Sequence, residues 1–557
     1  METSNNTSIP NKVLKGAGIL AVCALVAKVI GVLYRIPLTN IVGSEGIGLY
    51  QMIFPLYVVL LTISSGGLPV AISRVVASRI AKGDSRGAKK VLVVALISLS
   101  IIGAILGTLL FVFRNQIATL QGNPNAALGY AGIAPSILFV AIIACFRGYY
   151  QGKQNMLPSA LSQIIEQVIK LSAGLFLAYL LMPRGVEYAI FGALIGVSIS
   201  EIFAAVVLFL QFLVTSKRQK TKSLIKANQQ AAVTKSEISQ ENFLTAKSIF
   251  LSKEKNTSVL KEICLIAIPV TLGSLVLPLT QLIDSVLVIN FLTRNGMETV
   301  QATGLFGILT GPVGTLINMP AVITLSFAIA LLPKISQCFI NKECIAKFVG
   351  QGIKFNFILG LLATLFFSFY SRPILSLLYG SGLTQEEISL ASKLLILGSV
   401  SVVYVSILQV ATSVLQGVGK AHRPAINLLF GAVLKVGLTI LLLPQFGIFG
   451  AMIATAACFS LVCLLDIIAI KKYIKISLPI KEILIAPLIA GVAFSLVAVG
   501  LSLILRPFLT TMIITLITLP LATIIFIVLI IALKSIKKEE LKSMLPKRLF
   551  RRKQQQK

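Results

Sequence analysis

Gly67-Leu68-Pro69-Val70-Ala71-Ile72-Ser73 returns in altered form as Leu331-Leu332-Pro333-Lys334-Ile335-Ser336, with the two prolines 264 residues apart. Tyr150-Gln151-Gly152 then matches Leu415-Gln416-Gly417 at 265, Pro158 matches Pro424 at 266, and Lys170 matches Lys435 at 265. Four matches in one order at a near-constant offset mark an internal repeat. Each repeat holds six long apolar stretches, an even number, so both enter a membrane from the same side. A pseudo-two-fold axis along the membrane normal is expected to relate them, with a central cavity between two lobes.

Hydrophobic residues make up 56% of the chain and charged ones 12%, and mean hydropathy is +0.93. An average soluble domain carries about 25% charged residues, so a water-soluble fold is excluded. Roughly 20 apolar residues cross a hydrocarbon core of about 30 Å. Fourteen stretches qualify: 16–40, 48–72, 90–113, 126–147, 158–182, 188–213, 262–292, 302–332, 353–370, 388–416, 424–444, 446–470, 482–505 and 509–533. Pro269 and Pro278 are expected to kink or break the seventh, because each removes a backbone donor. The expected fold is an all-α membrane protein of about fourteen transmembrane helices. Residues 1–213 form a first lobe, 214–260 a basic linker with a short surface helix around 244–251, 261–475 a second lobe, 476–534 an added helix pair, and 535–557 a basic tail.

The net charge of +31 would suggest a nucleic-acid partner in a soluble protein, but here its placement follows topology. With both termini in the cytoplasm, inward segments hold 40 of the 50 Lys and Arg, Arg147 among them. Outward loops hold six: Arg114, Arg184, Arg294, Arg372, Lys393 and Arg506. The positive-inside rule fixes that orientation, and no nucleic acid is expected. The tail Lys547-Arg548-Leu549-Phe550-Arg551-Arg552-Lys553 is either simply solvated or held by anionic lipids, at about 1 kcal/mol per charge. The first apolar stretch is too long, and too charged at Lys28 and Arg35, for a cleavable signal peptide. None of the seven cysteines forms a C-x-x-C pair, so packing roles are expected and no metal site is assigned.

An ionisable side chain in hydrocarbon costs about 2.5–3.5 kcal/mol on insertion scales, so those present should face a cavity or each other. Lys28 and Arg35 lie seven residues apart on one helix face. Glu166 and Lys170 stand at i, i+4, the favourable order for an intrahelical ion pair, and two readings are open: a self-satisfied structural pair, or a contribution to a cationic site. Lys28, Arg35, Arg74 and Lys170 together would offer the first lobe's charge to an anion, since Lys and Arg are the residues that pair with phosphate oxygens. Asp284 and Lys435 are candidates for coupling or ion pairing in the second lobe. Glu201, Asp466 and Arg74 lie near span ends, where snorkelling is the ordinary explanation. Ser64-Ser65-Gly66-Gly67-Leu68-Pro69 disfavours a continuous helix, which makes Gly66, Gly67 and Pro69 a hinge or gate, or else a helix end.

No P-loop and no H-E-x-x-H is present, and the single histidine is His422, so neither an enzyme nor an ATP-driven pump is expected and no cofactor is required. Energy must come from an ion gradient, the membrane potential or the substrate gradient.

Ala27-Lys28-Val29-Ile30-Gly31-Val32-Leu33-Tyr34-Arg35-Ile36-Pro37-Leu38, Gly46-Ile47-Gly48-Leu49-Tyr50-Gln51 and Gly67 to Ser73 resemble the start of the SpoVB and YtgP branch of MurJ-like flippases. This is a branch of the multidrug, oligosaccharidyl-lipid and polysaccharide (MOP) exporter superfamily. The resemblance implies a multi-pass protein, monomeric, in the bacterial plasma membrane. Its cargo would be an undecaprenyl-pyrophosphate-linked sugar, foremost the peptidoglycan precursor lipid II, carried from the inner to the outer leaflet by alternating access. It also implies that the pyrophosphate meets the first-lobe cations and the polyprenyl tail a groove near the last two spans. Lys28 falls where many MurJ proteins have a cavity arginine, and Arg35 lies beside a second such position. Thr315 and Asn318 stand where many carry Arg and Glu, so a different set of cations would serve here. Asp284 and Asn427 are similar to part of a sodium site in some relatives, with Gly431 in place of a further acid. Coupling would then come from Na+ or from the membrane potential. The alternatives are a MATE-type drug or cation antiporter using Glu166, Glu201 and Asp284, a flippase for another lipid-linked precursor, or a non-transporting scaffold.

Overall fold

A computed structural model of the chain describes residues 11–233, 256–340, 345–474, 481–533 and 535. The short helix expected around 244–251 and all but the first residue of the basic tail lie outside these. Among the described residues every regular element is helical. Thirteen segments are long and apolar enough to cross a membrane. The first, Val22–Ala81, has 60 residues, about 90 Å as helix and so enough for two crossings. Thirteen segments therefore carry the fourteen expected spans.

The loop expected between 40 and 48 does not form. Helix α1 (Asn11–Ser65) stays helical on both sides of Gly43, which alone takes φ 69° and ψ −169°. That region is essentially closed to residues with a Cβ, so one glycine does the work of a loop. After Ser65 a Gly66-Gly67 turn leads into α2 (Leu68–Ala81), where Pro69 occupies the first turn and needs no backbone donor. The rest of the first half comprises α3 (Ser85–Val112), α4 (Arg114–Leu120), α5 (Ala126–Ile133), α6 (Ser136–Gly152), α7 (Leu157–Leu181) and α8 (Val186–Val233). Helix α8 continues to Val233, so the start of the expected linker is helical. Helix α9 (Asn256–Arg294) is one helix despite Pro269 and Pro278, each of which deletes a single i→i−4 bond.

The second half continues with α10 (Thr299–Ile308), a π-helical turn Leu309–Val313, α11 (Gly314–Ile340), α12 (Ile345–Tyr379), α13 (Gln385–Gly417), α14 (His422–Phe446) and α15 (Ile448–Ile474). The added pair is α16 (Ala486–Leu505) and α17 (Thr511–Ala532). Helix α13 opens on a capping box, with the Thr384 hydroxyl accepting from the Glu387 amide and the Glu387 carboxylate accepting from the Thr384 amide.

The helices fall into two compact units, one of residues 1–34 and 49–282, the other of residues 35–48 and 283–557. The expected lobe boundaries differ in two places. The change of unit comes inside α9 and not in the linker, and residues 35–48 of the first span belong with the second half. They are packed there tightly: a Cβ added at Gly48 would lie 2.1 Å from the Thr303 carbonyl oxygen, and one at Gly307 2.4 Å from that of Ser44. Asn40 Nδ2 donates to Leu378 O at 2.8 Å, and Ser44 hydrogen-bonds Glu387.

Each unit repeats the same pairings. In the first, α6 packs on α2, α3 and α8, and α7 pairs with α8. In the second, α13 packs on α11, α12 and α15, and α14 pairs with α15. The sequence offset near 265 is thus a repeat of packing. The added pair sits on α12: Phe494 meets Phe369, Tyr370 and Phe526, and Tyr370 Oη donates to Thr518 Oγ1 at 3.1 Å. Lys354, only 4% exposed, faces Glu482 at 3.9 Å.

Candidate functional site

In the first unit α7 lies along α1. The Gly31 position faces the Gln167 amide, and Gly174 faces the Tyr34 ring. This register puts Lys28 and Lys170 within about 10 Å of each other along the helix axes. Lys170 Nζ stands 5.5 Å from the Tyr34 ring centroid and 5.4 Å from that of Phe54, inside the ≈6 Å reach of a cation–π contact. Tyr34, Tyr50, Phe54 and Tyr57 form a run of ring contacts up α1 that supplies this wall.

The expected Glu166–Lys170 pair is not formed. Glu166 is taken by Arg147 of α6, at 2.7 Å from Nη2, while Arg147 Nε donates to Ser162 Oγ at 3.0 Å and Gln167 donates to the other Glu166 oxygen. A guanidinium at fork distance outcompetes an ammonium one turn away because it can bond the carboxylate and a neighbouring hydroxyl at once. Lys170 is left with aromatic faces and no ion pair among the described residues. Lys28 and Arg74 are exposed and likewise have no ion pair among the described residues. Glu201 is 7% exposed, in the field of Glu166, Arg147 and Lys170, and so does not snorkel.

The first span's two cations are divided between the units, Lys28 in the first and Arg35 in the second. Arg35 is half-buried, within electrostatic reach of the buried Tyr379, and its carbonyl accepts from Thr39 Oγ1 at 2.8 Å.

In the second unit Asp284 of α9 pairs with Lys435 of α14. Asn427 Nδ2 donates instead to Asp466 of α15, at 2.6 Å, and Thr412 Oγ1 reaches the other Asp466 oxygen at 3.4 Å. Asp466 has 0% exposure, so it too is no snorkelling residue. A sodium ion does not fit this donor set. Asp284 already faces an ammonium, Asn427 is engaged elsewhere, and Gly431 offers no side chain and abuts Cys458 and Val462. Thr315 is buried and the Asn318 amide donates to Gly314 O, so neither supplies charge.

The two halves place five corresponding positions at one offset, of which the lysine and the last acid are kept. Arg147, Ser162, Glu166, Lys170 and Glu201 stand 265 residues before Thr412, Asn427, Gly431, Lys435 and Asp466. Where the second half has Gly431, the acid corresponding to Glu166 is lost, and the positions of Arg147 and Ser162 become Thr412 and Asn427, both turned to Asp466. The offset that revealed the repeat could have flagged Glu201 and Asp466. Arg147 was missed because its place at a span end made it look like a loop cation.

The Gly66-Gly67 turn docks on α9. Gly67 N donates to Thr271 Oγ1 at 3.0 Å, and a Cβ there would lie 2.3 Å from Ala267 O. Ser64 and Ser65 hydroxyls fold back on Leu61 O, closing the end of α1.

Thirteen membrane-length segments and no strand among the described residues, with one set of helix pairings built twice, define a polytopic membrane protein. Its fold is similar to that of the solved "Lipid II flippase MurJ, inward closed conformation", with a TM-score of 0.66 over 94% of this chain and 99% of that one at 16% identity. It is also similar to an inward-facing multidrug resistance MATE family transporter of the MOP superfamily, with a TM-score of 0.59 over 80% of this chain and 96% of that one at 18% identity. The polysaccharide biosynthesis protein family matches residues 13–339, and the MatE family residues 269–441. Stage V sporulation protein B of Bacillus subtilis (strain 168) is 30% identical, over 84% of this chain and 85% of that protein. Lipid II flippase MurJ of the same organism is 26% identical, over 83% of each. The chain belongs to the polysaccharide biosynthesis protein family, in the MurJ- and SpoVB-like branch of the MOP exporters, whose members are transporters and not enzymes.

Proposed function

We propose that the protein flips an undecaprenyl-pyrophosphate-linked cell-wall precursor, lipid II foremost, from the inner to the outer leaflet of the bacterial plasma membrane by alternating access. The observation that carries this reading is the cation balance of the first unit. Lys28, Arg74 and Lys170 make no ion pair among the described residues, Glu166 is neutralised by Arg147, and the one other buried carboxylate near them, Glu201, is shared between the fields of Arg147 and Lys170. Unpaired ammonium and guanidinium groups in a membrane lobe are costly unless an anion meets them, and a pyrophosphate offers several oxygens to do so. The aromatic wall beside Lys170 suits the sugar and lipid portions. An apolar groove of 510 Å³ between α12 and α16, lined by Leu361, Leu365, Leu488, Val492, Leu496 and Val499, suits a polyprenyl chain.

Both termini face the cytoplasm on the charge distribution, the basic tail meets anionic lipids, and the carrier works as a monomer. The driving force is the membrane potential. Asp284 is held by Lys435, so no step is assigned to a sodium ion. Each negative charge moved outward gains about 2.3 kcal/mol per 100 mV.

A second reading draws on the 30% identity to a sporulation protein: a lipid-linked precursor made during sporulation. The MatE match and buried Glu201 favour a cation antiporter, but paired Glu166 and Asp284 argue against it. Depletion should accumulate lipid II in the inner leaflet. A normal distribution of lipid II after depletion, with another undecaprenyl-linked sugar accumulating in its place, would move the assignment to that precursor.

A further inference from the structure

Arg372 and Arg506, two of the six outward cations, line one cavity of 580 Å³ in the second unit. Arg372 comes from α12, Arg506 from the turn after α16, and the opposite wall is the first turn of α17. Both arginines are exposed, and neither has an ion pair or side-chain hydrogen bond among the described residues. No carboxylate lines the cavity. The hydroxyls of Ser376 and Thr511 also line it and engage nothing else among the described residues. The α17 N-cap, Thr510, makes no side-chain bond to the helix, so the first-turn N–H groups are unsatisfied by the protein and the positive end of a 22-residue helix opens here.

Three sources of positive potential thus converge where the positive-inside pattern is otherwise poorest in cations. Two unpaired guanidiniums and a helix N-terminus repel one another unless an anion sits among them, and a phosphodiester presents two oxygens to that set. Phe508, in the turn between α16 and α17, is 80% exposed, and Leu503 of α16 and Leu516 of α17 are exposed too, so the flank next to the cavity is apolar. We propose that this cavity binds the phosphodiester headgroup of an anionic phospholipid of the outer leaflet, with the acyl chains lying along the exposed flank of α16 and α17. The bound lipid would tie the added pair to α12. This site holds whichever substrate the carrier moves, so a failed flipping assay bears only on the preceding proposal.

The test uses the full-length protein in detergent, with thermal unfolding and native mass spectrometry read against added phosphatidylglycerol, phosphatidylcholine or inorganic phosphate. Phosphatidylglycerol should raise Tm and remain as a retained adduct. Arg372→Gln with Arg506→Gln should weaken that binding by about tenfold or more, while the double Lys variant, which keeps both charges, should retain most of it. Single Arg506→Gln, in an exposed turn, guards against a folding defect in the double variant. Unchanged lipid retention in the Gln variants overturns the site. Equal stabilisation by inorganic phosphate overturns the lipid assignment, and equal binding of phosphatidylcholine overturns the anionic class.

Discussion

Lys170 and Arg147 show how one charge is freed and another spent. Because Arg147 holds Glu166, Lys170 keeps its ammonium for the Tyr34 and Phe54 rings. Lys170→Ala and Lys28→Ala should each reduce lipid II translocation in liposomes by at least tenfold, about 1.4 kcal/mol, while the protein still inserts. Wild-type rates and complementation by both variants would remove the cation site. Arg147→Ala leaves Glu166 to Gln167 and to the Lys170 ammonium one turn away, so Tm in detergent should fall by the equivalent of about 1–3 kcal/mol, and Glu166→Gln should cost less because it leaves no anion to be held. Which residues carry charge within the spans was legible in the sequence, because hydropathy makes every intramembrane Lys or Asp conspicuous. Their partners were not. The i, i+4 spacing of Glu166 and Lys170 is local information, whereas the Arg147 guanidinium arrives from another helix and wins on geometry.

Elements were read well where the bilayer dictates them, since about 20 apolar residues per crossing is a constraint of thickness and not of packing. The misreadings fall where the chain changes direction. Residues 41–47 look like a loop by composition, yet the flanking helix persists and Gly43 alone makes the break. Gly43→Ala should therefore destabilise by about 1–3 kcal/mol, and Gly43→Asn should not rescue it, because ψ of −169° lies outside the left-handed helical region that Asn tolerates. Thermal unfolding of the two variants compares them directly. At the Gly66-Gly67 turn an interruption was legible from composition, but its seat on α9 was not. Gly67→Val would drive a side chain into Ala267 O and should lower folded yield on size-exclusion chromatography, and Gly66→Ala, whose Cβ would lie 2.7 Å from Thr62 O, should lower it less.

At the level of the whole molecule, the repeat was legible because Pro69, Gln151-Gly152, Pro158 and Lys170 recur at nearly one offset, and the exchange of residues 35–48 was not, because nothing local marks which half a segment joins. Translocation in liposomes should rise when an inside-negative potential is imposed and stay unchanged with a sodium gradient alone. Strict sodium dependence would mean that Lys435 leaves Asp284 during the cycle. The exchanged segment also governs synthesis. Residues 35–48 leave the ribosome early, but their neighbours from Thr303 to Glu387 follow only after some 255–350 further residues, roughly 15–70 s at 5–20 residues per second. For that interval the first membrane helix lacks its packing partners, with Asn40 and Ser44 without the Leu378 and Glu387 they bond in the folded chain. A nascent chain stalled before residue 299 should be a target for membrane proteases and insertion chaperones, and release of the second half should end that exposure.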